Sequence, residues 1–276
     1  MMQISFIKKP LDQYILPACE NIPVVSFYAK TRGWPFVVAW THRITGILLA
    51  VYLLLHIYTL SFLSIPRAFD AKMQSFAPVV FGFLEWSLAV PVIFHALNGG
   101  RLIIYELFGG RKDESMLRWV VSLSIIFILL HALLMIIGNQ SATPVFFWLV
   151  VSVISGLPGF LVIQKIWKIS GSMAWKLQRV SGSILLIMIP AHLLFMHLQP
   201  ASGHEAAVII DRMQNGFIKL IDLVLVISSL YHAGYGCVSL IRDYIKPGKG
   251  LTFLSLLVIF IMVVFAWVGI KLIFLV

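Results

Sequence analysis

The chain has 276 residues, of which 60% are hydrophobic and 12% are charged, and its mean hydropathy is +0.97. This composition excludes a soluble globular domain and indicates an integral membrane protein surrounded by membrane lipid. We interpret the formal net charge of +10 as basic residues retained in cytoplasmic loops, so it does not indicate a nucleic-acid partner.

The first 35 residues lack the apolar stretch and cleavage site of a secretory signal, so we expect residues 1–35 to form a cytoplasmic segment. The two cysteines, Cys19 and Cys237, lie in different settings and provide no disulfide framework. They also provide no Cys-x-x-Cys-His motif for covalent haem attachment. Any haem is therefore expected to be bound non-covalently.

Seven apolar segments follow, each on the order of 20 apolar residues long, which is enough to cross about 30 Å of hydrocarbon. Lys and Arg residues alternate between the two sides of the membrane only with this count, which places the N-terminus in the cytoplasm. The fourth segment is interrupted by Ser-Gly and Pro-Gly pairs, but this alternation requires it to cross. The predicted spans are 36–64, 77–108, 116–138, 144–164, 174–198, 216–243 and 251–276.

An internal repeat links the first and fifth spans. Arg43 opens an Arg-x-x-Gly motif and precedes His56 by 13 residues, and Arg179 stands in the same relation to His192, 136 residues later. Both histidines follow uninterrupted apolar stretches. A repeat of this kind predicts two copies of one structural unit.

A second repeated segment joins the second and sixth spans. His95 and His232 lie 137 residues apart, and each is followed four residues later by a glycine and eleven residues later by an acid. We predict two parallel three-helix units over 36–138 and 174–276, because the linking span within 139–173 restores the direction of the chain. The predicted fold class is an all-α, polytopic membrane helical bundle.

Parallel units place equivalent residues at equal depth, facing each other across the bundle. His95 is therefore expected to face His232 in the inner half, and His56 to face His192 in the outer half, roughly 10 Å away along the membrane normal. Two opposed imidazoles at one depth are the axial ligands of haem b, so the sequence predicts two haems. Small residues nearby would let a porphyrin approach the helix backbone: Gly46, Gly99, Gly182, Gly234 and Gly236.

Other polar residues in or near the spans have less specific interpretations. Any single intramembrane histidine can simply bond a neighbouring helix, and His131, which has no counterpart in the second unit, is interpreted as structural or as a propionate or quinone neighbour. Glu85 and Asp222 are either headgroup anchors or proton or propionate contacts of the outer haem. His197 and His204 are expected to be exposed at the outer interface.

Three stretches carry a resemblance to a known family. Residues 40–46, WTHRITG, resemble the opening of the large membrane-anchor subunit of succinate dehydrogenase, and residues 94–101, FHALNGGR, resemble its haem-ligand helix. Residues 232–247, HAGYGCVSLIRDYIKP, resemble the small anchor subunit, including the Asp-Tyr pair that closes its haem helix. The resemblance covers both predicted three-helix units.

The resemblance implies a fused cytochrome b anchor of a succinate:quinone oxidoreductase or fumarate reductase in the cytoplasmic membrane. Its partners would be the flavoprotein and iron–sulfur subunits, which hold the dicarboxylate site that this chain lacks and link the tricarboxylic acid cycle to the respiratory chain. Quinone would be reduced at the inner membrane edge. Depth and resemblance together assign Arg43 and Tyr244 to the quinone carbonyls, with His42 and Asp243 as proton relays or as ordinary interfacial residues.

The chain also departs from the familiar two-chain anchors. His56 and His192 are additional to the single inner pair of the one-haem enzymes, which resembles the di-haem anchors of menaquinone-linked enzymes. We therefore expect menaquinone. Ala39 occupies the position where a serine usually precedes the quinone-site arginine by four residues, so the quinone contacts must differ in part.

Two other function classes share part of the pattern. A di-haem cytochrome b of another quinone-linked dehydrogenase or hydrogenase would use the same histidines, but it would not need the pairs Asp243-Tyr244 and His42-Arg43. A proton-coupled transporter with parallel repeats would use the histidines and acids as a relay and would show no haem absorption bands.

Overall fold

The structure is a computed structural model that describes residues 21–75, 78–109, 113–137, 143–198 and 204–275. Cys19 and the side chain of His197 lie outside the described residues. A short 3₁₀ turn, Ser61–Ser64, continues the second helix. The α-helices, numbered here in chain order, are α1 Pro23–Arg32, α2 Trp34–Leu60, α3 Pro66–Gln74, α4 Pro78–Phe108, α5 Asp113–Ile137, α6 Pro144–Ile166, α7 Met173–Leu198, α8 Ala206–Met213, α9 Gly216–Tyr244 and α10 Lys249–Leu275.

Within the described ranges, seven helices are long and apolar enough to cross a membrane: α2, α4, α5, α6, α7, α9 and α10. The predicted number of spans and the all-α class are therefore confirmed, and the protein is a multi-pass membrane protein. The fourth span, α6, is a continuous helix despite Pro158. Proline is tolerated in membrane helices because neighbouring helices and local adjustments satisfy the freed backbone groups.

Glycine and proline set the start of the first spanning helix. Gly33 has φ +81°, a left-handed conformation that favours glycine, and it separates α1 from α2. Pro35 lies in the first turn of α2, where its missing N–H costs nothing. The helix therefore begins two residues before the predicted boundary.

Four helices form the centre of the fold. Helices α2, α4, α7 and α9 pack in a closed ring, each against the next, and α9 packs back against α2. Helix α5 packs on α4, α6 packs on α7, and α10 packs on α9 and α2. Each helix of the ring carries one of the histidines that repeat in the sequence. The division into two parallel units remains a prediction.

The two ends of the ring differ. One end, here called the basic end, carries Arg43 and Arg179. The other, here called the cap end, is covered by α3 and α8, and the carboxylate of Asp70 accepts a hydrogen bond of 2.9 Å from the backbone N–H of Ala206, the first residue of α8. An apolar cluster joins these elements: Leu63, Phe69, Ala206, Ile209, Met213, Leu272 and Ile273.

Candidate functional site

A cavity of about 510 Å³ runs through the centre of the helix ring. Arg43 and Asp243 line it at the basic end, and Met213 and Ile273 line it at the cap end. All four histidines of the repeat also line it. Its volume lies within the range of about 300–1,000 Å³ that is typical of ligand sites.

The structure brings His56 and His192 together near the cap end. Their ring centroids are 6.1 Å apart, and the ring planes meet at 80°. Tyr52, one helical turn before His56, stacks on it at 5.6 Å. Trp148 of α6 lies 6.2 Å from the His192 ring. These two histidines, the cap-end pair, come from α2 and α7.

The structure also brings His95 of α4 and His232 of α9 together. This basic-end pair has ring centroids 6.2 Å apart and ring planes at 86°. The His95 ring lies against Gly46, ten residues before His56, which is roughly 15 Å along α2. The two pairs are therefore farther apart than the sequence-based estimate.

The ring spacing in both pairs fits a six-coordinate haem iron. Two imidazoles that each bound one metal ion through a nitrogen, at about 2 Å and with roughly 1 Å from the nitrogen to the ring centre, would have their ring centres about 6 Å apart. The described residues contain no group of three or more His, Cys, Asp or Glu side chains that could hold a bare metal ion. Each pair offers two imidazoles, and a porphyrin would supply the other four ligands of an iron between them.

Backbone carbonyls orient the basic-end pair. Nδ1 of His95 lies 3.2 Å from the carbonyl oxygen of His42 and 3.3 Å from Oγ1 of Thr45. Donation from Nδ1 to the carbonyl leaves Nε2 available to a metal. The second unit has a looser form of this arrangement. The Gln178 backbone interacts with the His232 ring, although Nδ1 of His232 makes no hydrogen bond of standard geometry.

Two glycines provide room for these imidazoles. A Cβ atom on Gly46 would lie 2.9 Å from Cε1 of His95, and one on Gly182 would lie 3.1 Å from Cε1 of His232. The sequence assigned both glycines to the approach of a porphyrin, but in the structure an imidazole ring fills the space. The other three glycines have different surroundings. A Cβ atom on Gly99 would contact His42, one on Gly234 would contact Met262, and one on Gly236 would meet open space.

His42 belongs to the same layer as the basic-end pair. Its ring is stacked on the His95 ring, with centroids 4.0 Å apart and planes within 8°. It also lines the cavity. The residue that the sequence linked to quinone protonation is therefore in direct contact with a predicted haem ligand.

The basic end brings three predicted quinone residues together. Arg43 donates a hydrogen bond of 3.0 Å to the hydroxyl oxygen of Tyr244 and one of 3.1 Å to the carboxylate of Asp243. Trp40 completes the group, with the Arg43 guanidinium 5.6 Å from its ring. The Arg43 and Asp243 side chains are 37% and 50% exposed, so this group is open to the membrane surface.

A matching ion pair lies on the other side of the ring. Arg179 donates through Nε and Nη2 to the two carboxylate oxygens of Glu106, the second bond being 2.7 Å long. Arg179 and Glu106 occupy the repeat positions of Arg43 and Asp243. Leu107 occupies the repeat position of Tyr244, so the second ion pair has no phenol at that position.

A sequence profile of the succinate dehydrogenase/fumarate reductase transmembrane subunit family matches residues 30–137 and 160–270. The chain belongs to this family. It is 29% identical over 93 residues to the succinate dehydrogenase 2 membrane subunit SdhC of Mycobacterium tuberculosis (strain ATCC 25618 / H37Rv), a match that covers 33% of this chain and 68% of that protein. No solved structure matches the chain. Family membership leaves the transporter interpretation without support.

The two acids that the sequence linked to the outer haem, Glu85 and Asp222, both have partners near the cap end. Oε1 of Glu85 lies 3.2 Å from Nε2 of His204, so His204 has a specific partner and is not simply exposed. Asp222 lines the cavity and interacts electrostatically with Arg212 of α8. His131 is fully buried beside Phe127 on α5, where the ring centroids are 6.2 Å apart.

Arg212 is the functional candidate that the sequence did not reveal. It lies in the mixed-charge connection between the fifth and sixth spans. Neither the Arg-x-x-Gly repeat nor the histidine repeat includes it. The direction of the Arg212 side chain depends on how α8 packs over the end of the helix ring. The sequence signal was Asp222, which precedes His232 by ten residues as Glu85 precedes His95, and which needed a cationic partner within an apolar span.

Proposed function

We propose that this chain is the haem b-containing membrane anchor of a succinate:quinone oxidoreductase and passes electrons from an iron–sulfur subunit to membrane quinone. Two opposed histidine pairs along one cavity, in a member of this family, carry the proposal. Each haem, when bound, would supply a one-electron carrier. His95 and His232 would hold one haem, and His56 and His192 would hold the other.

The chain's own groups prepare the imidazoles for this role. The carbonyl of His42 accepts a hydrogen bond from Nδ1 of His95, which selects the tautomer with a lone pair on Nε2. Stacking of His42 on one face, and the close approach of Gly46 to Cε1, restrict rotation of the His95 ring. A ligand fixed in this way loses little conformational entropy when it binds iron.

Quinone reduction is assigned to the basic end, at Arg43 and Tyr244. Because Arg43 donates to the Tyr244 oxygen, the phenolic proton is available to a quinone carbonyl. The guanidinium would stabilise negative charge on the quinone as electrons arrive. Asp243, which is half exposed, can exchange protons with water, and His42 can supply a second proton from the cavity side.

The same proposal orients the protein in the membrane. Basic loops favour a cytoplasmic location for the basic end, with the N-terminus inside. Flavoprotein and iron–sulfur subunits would dock there, and the mycobacterial relative is likewise a membrane subunit of a succinate dehydrogenase. The additional histidine pair favours menaquinone as the acceptor. Two parallel three-helix units, 36–138 and 174–276, joined by a linking span within 139–173, would account for this arrangement.

Ligand substitution tests the haem assignment. His56→Ala and His192→Ala are each expected to remove or alter one haem, and His95→Ala and His232→Ala are expected to affect the other. Haem content per chain and low-temperature absorption spectra measure this directly. His131→Ala, which changes a buried histidine outside the pairs, is the matched control. Unchanged spectra in both His56→Ala and His192→Ala would leave a one-haem anchor.

A further inference from the structure

The cap end of the cavity contains a cation from outside the spanning helices. Among the described residues that line the cavity, the arginines are Arg43 and Arg179 at the basic end and Arg212 at the cap end. Arg212 belongs to the short helix α8. It therefore reaches the cavity from the loop that covers the ring.

The position of Arg212 is set by the packing of α8. Its neighbour Met213 and the residue one turn earlier, Ile209, are buried in the apolar cluster of the cap end. Asp70 of α3 accepts a hydrogen bond from the first backbone N–H of α8. The helix is thus held from two sides, and the guanidinium is directed by a rigid element.

The surroundings of Arg212 place it at the depth of the cap-end pair. Its guanidinium lies 5.7 Å from the ring of Phe195, one turn beyond His192 on α7. Nη1 is 3.7 Å from the sulfur of Met196. Asp222 precedes His232 by ten residues, which is roughly 15 Å along α9. The two histidine pairs are separated by the same distance along α2, so Asp222 lies at the depth of the cap-end pair.

Arg212 is a desolvated cation at the edge of the cavity, and Asp222 is a nearby counter-charge. Burial in this apolar environment lowers the pKa of the Arg212 guanidinium, and Asp222 opposes that shift. A desolvated cation is retained where paired anions compensate its loss of water. The planar guanidinium is suited to carboxylates, which it binds through two parallel hydrogen bonds.

We propose that Arg212 binds a propionate carboxylate of the haem held by His56 and His192, with Asp222 as the counter-charge that positions the guanidinium. The inference rests on the proposed function, because it requires a second haem at the cap end. Arg212 thereby makes the loop between α7 and α9 part of the cofactor site. It also sets the charge experienced by one haem and not by the other.

The test compares Arg212→Leu with Arg67→Leu in the purified complex. Arg67 is an exposed arginine of α3 at the same end of the bundle. Haem content per chain and the midpoint potentials of both haems are measured by redox titration. Arg212→Leu is expected either to release the cap-end haem or to shift its potential to more negative values, because the lost cation no longer favours the reduced form. Arg67→Leu should leave both haems unchanged.

Two further variants keep the proposal testable if Arg212→Leu disturbs assembly. Asp222→Asn removes a negative charge and should shift the cap-end potential to more positive values. Arg212→Lys retains the charge and should restore haem content. An unchanged cap-end haem in Arg212→Leu, or equal shifts in both haems, would overturn the proposal. A wild-type complex with one haem would instead overturn the two-haem function on which it rests.

Discussion

The contacts of individual histidines distinguish the basic-end pair from ordinary intramembrane histidines. His95 is held by a glycine, a carbonyl and a stacked imidazole, and His232 has the glycine and a looser carbonyl contact. The two rings of this pair are near-perpendicular, at 86°. Residue-scale predictions therefore concern small changes that move a ring.

Gly46→Ala tests the close approach between α2 and His95. The added methyl group would lie 2.9 Å from Cε1 of the ring, and overpacking of this kind costs about 1–3 kcal/mol. We expect a lower content of the basic-end haem and a partly five-coordinate spectrum. Gly156→Ala, in α6 with open space around it, is the control. Equal haem content in both variants would show that the ring can shift freely.

Tyr244→Phe and Arg43→Leu test the quinone site. Each removes a hydrogen bond to a quinone that becomes charged, so succinate-driven quinone reduction should fall by about tenfold to a hundredfold. Haem content and electron transfer from succinate to a water-soluble dye should persist. Tyr28→Phe and Arg242→Leu change exposed residues of the same types and serve as controls. Normal quinone turnover in both test variants would place the site elsewhere.

At the scale of elements, α6 determines how the two histidine-bearing halves are joined. It packs on α7 and, more weakly, on α9 and α4, so it lies beside the ring and not within it. Its buried residues, including Trp148 and Ile166, face the ring. A span in this position can reverse the chain without displacing a helix that carries one of the repeated histidines.

Reporter fusions after Gly171 test the linking span. If α6 crosses the membrane, the fusion point lies on the same side as the N-terminus and should give a cytoplasmic signal. Fusions at residues 139–142, between the third and fourth predicted spans, should give the opposite signal and provide the internal control. A periplasmic signal after Gly171 would contradict seven spans and the parallel arrangement of the two units.

At the scale of the whole molecule, ion pairs connect the two halves at the basic end. Arg43 on α2 pairs with Asp243 on α9, and Arg179 on α7 pairs with Glu106 on α4. Partly exposed pairs of this kind contribute little stability individually. Each pair links a helix of one half to a helix of the other at the same depth. The pairs therefore fix the relative positions of the two halves along the helix axes.

Purification of the intact complex tests the anchor function as a whole. The chain should co-purify with a flavoprotein and an iron–sulfur subunit, and it should contain two haems b per chain. Docking is proposed at the basic end, so charge reversal at exposed basic-end lysines such as Lys246 should weaken association more at low salt, where charges are poorly screened, than at high salt. Isolation of the chain with both haems but with a different set of subunits would favour another quinone-linked dehydrogenase.

Sequence alone was sufficient for the membrane class, the number of spans and the four repeated histidines. Hydropathy, charge alternation and repeat spacing are properties of the chain that tertiary packing does not alter. The group of Arg43, Asp243 and Tyr244 could also be predicted from the sequence. Arg43 lies near the start of the first span and the other two lie at the end of the sixth, on the same side of the membrane, so all three belong to one interface.

Tertiary structure decided which atoms meet. The contact of His95 with Gly46, the stacking of His42, and the pairing of Glu85 with His204 depend on helix rotation and on how a surface loop folds back. Such contacts join residues that are far apart in the chain and leave no periodic pattern. Arg212 is the clearest case, because packing of α8 over the ring, and not any motif, turns a loop arginine into a lining residue of the cavity.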